Sequence, residues 1–451
     1  MVTATIKNFV SRLLPSRKRG PQLFHASQHG IDKRNVSRHA AKVCEVLSQH
    51  GFKAYIVGGA VRDLIVGLVP KDFDVATNAT PEQIRPLFRR ARIIGRRFKL
   101  VHIVFGQEII ETSTFRAPAD QGEDTDEHGR IISDNLYGTH EQDAVRRDFT
   151  LNALYYDPLK EEVIDFHQGV NDLKKRTVRM IGDPAVRYRE DPVRMLRAVR
   201  FASKLDGIIA PATLAPIREL APLLANVPSS RLFDEMLKLL TCGRAMQCLQ
   251  QTRELGLLRY LLPQIETVMS QPEGAAFVDM ALNRTDARIH AGKSTSPSYL
   301  FASLLWKLVN QRWQAREAEG EPRQQALMQA VDDVLEDRKQ SLSIHRRYQA
   351  DMREIWLMQP RFERATPRAI WRMIEQPRFR AAVDFLQLRA EAREVDSVQA
   401  QWWMDLANAD YDSRAELIEN YQQPAGSREG GSRTRRRRRR PRTRPAPTTQ
   451  S

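Results

Sequence analysis

The stretch from Tyr55 to Thr77 constrains the fold of this chain more than any other part of its sequence. Residues 55–57 are aromatic or β-branched and predict a short buried strand that stops at Gly58 and Gly59. Two adjacent glycines let the backbone turn sharply, and they leave bare N–H groups at the start of the next helix. Such N–H groups suit a phosphate. The sequence therefore predicts a strand, a glycine turn and a helix over residues 60–66 that together cradle a phosphate.

A second strand, predicted over residues 72–75, carries the acidic pair Asp72 and Asp74. Side chains alternate across a strand, so both carboxylates are expected on one face. Two carboxylates side by side repel each other unless a cation lies between them. Hard oxygen ligands beside a phosphate cradle indicate Mg²⁺. An isolated pair of this kind is more often a solvated strand end, but the glycine turn and the dipeptide Arg62-Asp63 favour a metal site.

These residues form two motifs, G-G-x-x-R-D over residues 58–63 and D-F-D-x-x-T over residues 72–77. The motifs resemble those of the DNA polymerase β-like nucleotidyltransferases. More narrowly, they resemble the family of bacterial tRNA CCA-adding enzymes and bacterial poly(A) polymerases. The resemblance implies an enzyme that adds AMP from ATP to RNA 3′ ends without a template. It also implies two Mg²⁺ ions held by Asp72 and Asp74, and a nucleotide site that includes Gly58, Gly59, Arg62 and Asp63.

A third carboxylate is expected near the aspartate pair, and two residues compete for the role. Glu111 opens the motif E-T-S-T-F-R at a strand end, and an acid there could polarise the attacking hydroxyl or complete a metal shell. Asp148 belongs to the block R-R-D-F-T-L-N-A over residues 146–153, and we predict it to be catalytic. In this block Arg147 and Asn152 are predicted to bind the nucleotide, since guanidinium groups grip phosphate oxygens.

The block E-D-P-V-R-M-L-R over residues 190–197 predicts a helix that begins at Pro192. Asp191, Arg194 and Arg197 then share one face. The family resemblance implies that Asp191 and Arg194 help to select the incoming base, with Arg197 in the same nucleotide site. From the residues alone, an ordinary intrahelical salt bridge is the simpler interpretation.

One further stretch separates the two branches of the family. Residues 93–102, with the sequence I-I-G-R-R-F-K-L-V-H, resemble a block of bacterial poly(A) polymerases that their CCA-adding relatives lack. Its three basic residues could hold phosphates of primer or nucleotide. The nearest alternative is a CCA-adding tRNA nucleotidyltransferase, and a third is a non-catalytic RNA-binding adaptor. The intact pair of Asp72 and Asp74 argues against the adaptor.

The domain organisation follows from changes in composition and periodicity. Short strands and helices predict an α+β unit, and beyond about Thr177 the apolar spacing becomes helical, with no strand alternation after residue 185. The fold class is thus α+β, a polymerase β-like nucleotidyltransferase head domain followed by an all-α body and a disordered basic C-terminal tail. The predicted parts are a basic flexible extension (1–35), the catalytic head (36–175), a helical neck for nucleotide and RNA binding (176–265), a helical body for RNA binding (266–421) and a disordered Arg-rich tail (422–451).

Charge and cysteine content indicate the partners and the compartment. The formal charge of +16 favours a polyanionic partner, and nine arginines lie between Arg433 and Arg444, so that without them +7 remains. The tail is either an RNA-binding arm or a solubilising segment. Three scattered cysteines indicate a reducing compartment, and no apolar run is long enough for a membrane span. We expect a cytoplasmic monomer that acts on RNA 3′ ends, with RNA-decay proteins as further partners.

Overall fold

A computed structural model of the chain describes residues 20–95, 99–117, 136–336 and 344–421. The first part of the predicted N-terminal extension, residues 118–135 and the whole predicted tail lie outside the described residues. The chain divides into two compact units, Met1–Met352 and Arg353–Ser451. The predicted divisions after residues 175 and 265 concern smaller parts of the first unit and stay predictions.

A mixed sheet forms the centre of the N-terminal part. Within the described ranges its strands are β1 (Gln22–His25), β2 (Ala54–Val57), β3 (Asp74–Thr77), β4 (Ala91–Ile94), β5 (Leu100–Phe105), β6 (Glu108–Thr114), β7 (Leu154–Asp157) and β8 (Glu162–Asp165). Their order is β1-β8-β7-β2-β3-β6-β5-β4. Of these pairs, β3 with β6 is parallel and the others are antiparallel. The central strands β2 and β3 are mostly buried, as the apolar sequence of residues 55–57 predicted.

Short helices surround this sheet. They are Ala26–His29, Arg38–Gln49, Gly59–Ile65, Pro81–Ile84, His140–Arg146 and Gly169–Lys174, with 3₁₀ turns at Lys33–Asn35, Arg85–Leu87 and Thr150–Asn152. A capping box starts the Pro81–Ile84 helix: the Thr80 hydroxyl accepts from the Gln83 N–H, and the Gln83 side chain accepts from the Thr80 N–H. This α-helix ends at Ile84, because Pro86 has no N–H with which to continue the ladder.

The structure corrects two expectations at the margins of the sheet. Residues 20–35 are not a flexible extension, since β1 pairs with β8 along its whole length. Phe24 is the single buried residue of β1, so this edge strand lacks the alternation by which strands are detected. A further strand, Ile208–Ile209, pairs in parallel with Thr177–Val178, although no strand was expected after residue 185. Two residues are too few to show a period.

The remainder of the described chain is helical, which confirms the predicted α+β head followed by an all-α body. In the first unit the helices are Pro184–Glu190, Val193–Lys204, Pro211–Leu214, Ile217–Leu220, Ser229–Leu240, Ala245–Glu254, Leu258–Leu261, Pro263–Met269, Pro272–His290, Pro297–Ala318 and Arg323–Leu335, with a 3₁₀ turn at Ala221–Asn226. The helix Arg346–Glu363 contains the point of division, and the second unit continues with Pro367–Ile374, Phe379–Glu391, Ser397–Asn408 and Tyr411–Glu419. Its core includes Phe362 and Trp403. In the described parts, no helix is long and apolar enough to cross a membrane.

An aromatic cluster lies beneath the sheet and holds a neutral histidine. His140 stacks on Tyr55 and Phe115, with ring centroids 4.7 and 4.9 Å away, and meets Tyr155 edge-on at 4.2 Å. Its Nε2 atom has no hydrogen-bond partner among the described residues. Burial lowers the pKa of His140 to about 4. The cluster therefore keeps His140 uncharged in the folded protein at neutral pH.

This pKa predicts an acid-labile contribution to stability. Below pH 6.5 the unfolded chain binds a proton at His140 that the folded chain does not bind until about pH 4. The contribution is therefore complete above pH 6.5 and is lost as the pH falls, by about 3 kcal/mol at most. In urea unfolding, the stability of His140→Phe relative to wild type should rise by about 2 to 3 kcal/mol between pH 7 and 4.5. A constant difference would contradict the assignment.

Candidate active site

A cavity of about 510 Å³ opens between the ends of the central strands and the Val193–Lys204 helix. Six of its lining residues are arginines: Arg62, Arg116, Arg146, Arg147, Arg197 and Arg200. Three are acidic: Asp74, Glu111 and Asp148. Guanidinium groups are the side chains best suited to phosphate oxygens, and carboxylates are suited to hard divalent cations. The cavity can therefore accept a polyphosphate together with such a cation.

The glycine turn has the predicted shape at the edge of this cavity. Gly58 has φ +70°, a left-handed conformation that favours glycine, and it precedes the Gly59–Ile65 helix. A Cβ atom at Gly58 would lie 3.4 Å from Nη1 of Arg147, which is an ordinary contact, so a side chain there would be strained by the positive φ and not by lack of space. The N–H of Gly58 donates to the Leu154 carbonyl at 3.2 Å. One of the N–H groups expected to be bare is thus already paired, and the turn chiefly brings the backbone close to Arg147.

The acidic pair lies at the start of β3. This strand begins at Asp74, two residues later than predicted, and Asp72 precedes it. Asp72 and Asp74 are exposed while Phe73 and Val75 are buried, so the expected alternation is present. Asp74 lines the cavity, but Asp72 does not. In the parallel pairing of β3 with β6, Asp74 is the register partner of Glu111.

Repulsion and burial perturb the acid at the centre of this group. Asp74 is accessible from the cavity, but the protein around it displaces much of its water and so raises its pKa to about 6. The charges of Glu111 and Asp72 act in the same direction, while Arg147 opposes them. Among the described residues, no three His, Cys, Asp or Glu side chains are already arranged around a metal position. The donor set nevertheless fits Mg²⁺, because it offers carboxylate oxygens whose mutual repulsion a divalent cation would relieve.

The adjacent arginines of the R-R-D block are held by a buried acid, Asp143, that was not predicted. Its side chain is 1% exposed. One carboxylate oxygen accepts from Nε of Arg146 at 2.9 Å, and the other accepts from Nη2 of Arg147 at 3.0 Å and from the Tyr155 hydroxyl at 2.7 Å. Burial alone would raise the pKa of Asp143, but Arg147 and Arg146 outweigh it and lower the pKa to about 2. Asp143 therefore stays charged and fixes both guanidinium groups.

A chain of hydrogen bonds joins the glycine-turn helix to the Val193–Lys204 helix. Arg62 donates to Asn152 Oδ1 at 2.9 Å, and Asn152 Nδ2 donates to Asp148 Oδ1 at 3.1 Å. Arg197 completes this link at Asp148 Oδ2, at 2.6 Å. Arg62 also bonds Asp63, whose second oxygen pairs with Nζ of Lys204 at 2.7 Å. Asp63 thus orients Arg62 through this ion pair, and Asp63 itself does not line the cavity.

Asp148 is occupied by these contacts. It accepts bonds from Asn152, Arg197 and its neighbouring Phe149 N–H. Burial would raise the pKa of Asp148, but the Arg197 charge and these hydrogen bonds lower it. Asp148 is therefore an ionised acceptor between Asn152 and Arg197.

Three arginines surround one aromatic ring on the cavity wall. The guanidinium carbons of Arg62, Arg197 and Arg200 lie 4.8, 5.4 and 4.5 Å from the centroid of Phe201. The ring is nearly buried, at 3% exposure, and it packs edge-on against Phe149. Cation–π attraction offsets part of the repulsion between like charges. Phe201 thereby helps the three guanidinium groups, which pair with Asp63, Asp148 and Glu235, to lie close to one another.

The structure corrects the geometry expected for Asp191 and Arg194. Asp191 is extended and precedes the helix, which begins at Val193, and it pairs with Arg231 at 2.6 Å. Arg194 pairs with Glu190 at 2.8 Å and donates to the Arg187 carbonyl. Asp191 does not share a face with Arg194 and Arg197, because it lies two positions before the first helical residue and so does not follow the helical period. Neither Asp191 nor Arg194 lines the cavity.

The branch-separating block contributes to the same site. Residues 96–98 lie outside the described residues, so two of its basic side chains cannot be placed. Leu100 lines the cavity, and Nε2 of His102 lies 3.3 Å from Glu111 Oε1. Lys99 pairs instead with Glu82 at 3.6 Å. The block thus reaches the acidic side of the cavity through Leu100 and His102.

Eight of the predicted site residues line one cavity: Gly58, Gly59, Arg62, Asp74, Arg147, Asp148, Asn152 and Arg197. Asp63, Asp72, Asp191 and Arg194 do not. Sequence reasoning missed Asp143, Arg200 and Phe201. A signal existed for two of them: Asp143 lies four residues before Arg147 in a helical stretch, and Arg200 continues the three-residue spacing of Arg194 and Arg197.

Comparison with known proteins gives three matching family models. A poly A polymerase head domain matches residues 54–179, a probable RNA and SrmB- binding site of polymerase A matches residues 208–269, and a polymerase A arginine-rich C-terminus matches residues 319–444. The first model contains the motifs around the cavity up to Asn152. The third extends into the arginine run.

The similar proteins include poly(A) polymerases and CCA-adding enzymes. Poly(A) polymerase I of Haemophilus influenzae is 41% identical over 419 residues, covering 90% of this chain and 93% of the relative. The Salmonella typhi protein of the same name is 42% identical, with 89% of each chain covered. A CCA-adding enzyme of Geobacillus stearothermophilus is 38% identical, but the match covers 49% of this chain and 54% of that protein. The similarity to CCA-adding enzymes is thus the more limited one.

Solved structures share the fold. The CCA-adding enzyme of Bacillus stearothermophilus in complex with CTP superposes with a TM-score of 0.56 at 25% identity, covering 85% of this chain and 88% of that one. A tRNA nucleotidyltransferase complexed with a primer tRNA and an incoming ATP analog gives a TM-score of 0.52 at 20% identity, covering 83% and 99%. The motif-based resemblance is confirmed. Since the poly(A) polymerase I relatives match along about nine tenths of the sequence, the chain belongs to the bacterial poly(A) polymerase I family of nucleotidyltransferases.

Proposed function

We propose that this enzyme adds AMP from ATP to RNA 3′ ends without a template and uses Mg²⁺. The observation that carries the proposal is the cavity, in which Asp74 and Glu111 lie opposite a group of arginines that can receive a triphosphate. Bound Mg²⁺ would supply activation of the 3′-hydroxyl and charge neutralisation of the leaving pyrophosphate. Asp72 and Asp74 would hold it.

The protein's own contribution is mainly positioning. Arg62, Arg147 and Arg197 would grip the triphosphate in orientations that Asp63, Asp143 and Asp148 have already fixed. Phosphoryl transfer is accelerated chiefly by placement and charge stabilisation. Guanidinium groups fixed before the substrate arrives lose little entropy on binding it. The cavity can thus stabilise the charge of the transferred group without first rearranging its own side chains.

For the third carboxylate we propose Glu111. Its register position beside Asp74 and its effect on the pKa of Asp74 support this role. Asp148, the competing candidate, is engaged by Arg197 and Asn152, so we propose that it positions those residues. Glu111→Gln should then impair addition more than it impairs ATP binding.

The test of the function is nucleotide addition by the purified protein. An unstructured RNA is incubated with each nucleoside triphosphate separately, with and without Mg²⁺. We expect a ladder of extended products with ATP and Mg²⁺, and none with EDTA. Addition of only two or three nucleotides, with CTP preferred, would indicate a CCA-adding enzyme. No addition under any condition would favour an RNA-binding adaptor.

The proposed role of Arg194 in base selection gives a specific prediction. Arg194 uses Nη1 for Glu190 and the Arg187 carbonyl, so a base would be contacted through its other guanidinium N–H groups. Loss of such a contact is worth about 1 to 3 kcal/mol of discrimination. Arg194→Ala should therefore reduce the preference for ATP over CTP, measured as a ratio of kcat/KM, about 10- to 100-fold. The exposed Arg189→Ala is the control, and an unchanged ratio in Arg194→Ala would remove this residue from the site.

The tail prediction concerns salt dependence. We propose that the arginine run binds RNA electrostatically, each neutralised phosphate adding roughly 0.7 to the slope of log affinity against log salt. Removal of residues 422–451 should weaken RNA binding at low salt and flatten this slope, with kcat at saturating RNA little changed. Binding titrations between about 50 and 200 mM salt measure it. Superimposable slopes would support the solubilising alternative.

The remaining proposals concern the cellular compartment, the parts of the chain that bind RNA, the protein partners and the oligomeric state. A cytoplasmic site is supported by the cysteines Cys44, Cys242 and Cys248, which are all free thiols. RNA binding by the neck is supported by the family model that matches residues 208–269, and RNA binding by the body stays a proposal. RNA-decay proteins remain proposed partners and a monomer the proposed state, for which light scattering of the purified protein is the direct measurement.

A further inference from the structure

Two of the three cysteines lie in contact. The Sγ atoms of Cys242 and Cys248 are 3.4 Å apart, although the residues are six positions apart in sequence. Cys242 lies in the turn after the Ser229–Leu240 helix, and Cys248 lies within the Ala245–Glu254 helix. A disulfide bond has a sulfur–sulfur distance of about 2.05 Å. The two sulfur atoms therefore need to approach by little more than an ångström to bond.

The backbone is anchored on the side of Cys248 and adjustable on the side of Cys242. Ala245, at the start of the second helix, donates its N–H to Asp286 Oδ1 at 2.8 Å, which anchors the helix that carries Cys248. Between the anchor and Cys242 lies Gly243, with φ +84°. Glycine has the widest conformational freedom of any residue. The turn can thus move Cys242 while Cys248 stays in place.

The two thiols differ in exposure and in charge preference. Cys242 is partly exposed, and Cys248 is fully buried. A hydrogen bond from the Cys248 thiol, the Arg244 N–H and the charge of Arg200 lower the pKa of Cys242. The interaction with Cys242 and burial raise the pKa of Cys248. Thiolates attack disulfides and thiols do not, so Cys242 is suited to attack first and Cys248 to act second.

The third cysteine shows the contrasting case. Cys44 is 1% exposed and packs in the core beside the sheet. Burial raises its pKa. Cys44 has neither the partial exposure nor the lowered pKa of Cys242, so it should not react in the folded protein and serves as an internal reference.

We propose that Cys242 and Cys248 form a thiol–disulfide modification site for small disulfides of the glutathione class. The Cys242 thiolate attacks one sulfur of the small disulfide and releases one small thiolate, which leaves a mixed disulfide. The sulfur of Cys248 then attacks Cys242 Sγ, loses its proton and releases the second small thiol. Two protein thiols are oxidised to one disulfide, and the small disulfide is reduced to two thiols. Arg200, whose charge acts on Cys242, also lines the cavity.

The test uses the full chain in glutathione buffers of graded ratio. Reactions are quenched in acid, free thiols are alkylated, and the protein is digested with trypsin without reduction. Cleavage after Arg244 separates the two cysteines into peptides 239–244 and 245–253. We expect these peptides to become linked in oxidising buffer and to separate on reduction. Cys44 should remain alkylated throughout.

Two variants resolve the order of the steps. Cys248→Ser should stop at a mixed disulfide of glutathione on Cys242. Cys242→Ser should leave Cys248 alkylated and unmodified by glutathione, because Cys248 is buried. Failure of the wild-type peptides to link in the most oxidising buffer would overturn the proposal. Oxidation of Cys44 at the same rate as Cys242 would also overturn it, since reaction would then proceed through unfolding.

Discussion

Asp74→Asn should lower the rate of AMP addition by about 10³-fold or more while the protein stays folded. A divalent cation contributes several kcal/mol of charge stabilisation to such a reaction, and every 1.36 kcal/mol is tenfold in rate. The substitution removes a carboxylate that lines the cavity, next to Glu111 in register. Single-turnover extension of a labelled RNA with saturating ATP and Mg²⁺ measures the effect.

The stability of Asp74→Asn separates this explanation from misfolding. The pKa of Asp74 is raised, so above about pH 6 its charge is unfavourable in the folded state, and stability is lost as the pH rises through that value. Removal of the charge should leave the thermal midpoint at pH 8 unchanged or raise it. The exposed residue Asp234 in the Ser229–Leu240 helix offers a matched control, Asp234→Asn, with normal activity expected. Near-normal addition by Asp74→Asn would exclude the proposed metal site.

Local sequence signals predicted the parts of the site that lie close together along the chain. The strand at residues 55–57, the turn at Gly58 and the exposed pair of Asp72 and Asp74 follow from β-propensity, glycine conformation and alternation. Each of these features is decided within a few residues, so one sequence suffices to find it.

Contacts between distant segments were not predictable in this way. The parallel register that places Glu111 beside Asp74 depends on how two strands separated by more than thirty residues meet. The link from Lys204 to Asp63 joins residues 141 positions apart. Side chains of Asp and Arg have many possible partners on a basic chain, and only the tertiary arrangement selects one. For this reason the sequence placed Arg194 on one face with Asp191, whereas in the structure Arg194 pairs with Glu190.

Asp143→Asn should weaken ATP use strongly, although Asp143 itself is not among the residues that line the cavity. The substitution leaves Arg146 and Arg147 without the charge that fixes them, and loss of a buried ion-pair partner costs about 3 to 5 kcal/mol of stability. Misplaced guanidinium groups lose charge-assisted hydrogen bonds worth about 1.5 to 3 kcal/mol. We expect kcat/KM for ATP to fall about 10- to 100-fold, mostly through KM.

Two further variants decide whether Asp143 acts through the arginines or only through stability. Tyr155→Phe removes the hydroxyl that donates to Asp143 and accepts from Arg147 but keeps the buried ring, so it should raise KM for ATP by a smaller factor. Glu141→Gln changes an exposed acid in the same helix and should alter neither KM nor stability. Assays at a temperature well below the midpoint of every variant remove the contribution of unfolding. If KM for ATP in Asp143→Asn then equals that of wild type, Asp143 stabilises the fold without placing the guanidinium groups that meet the triphosphate.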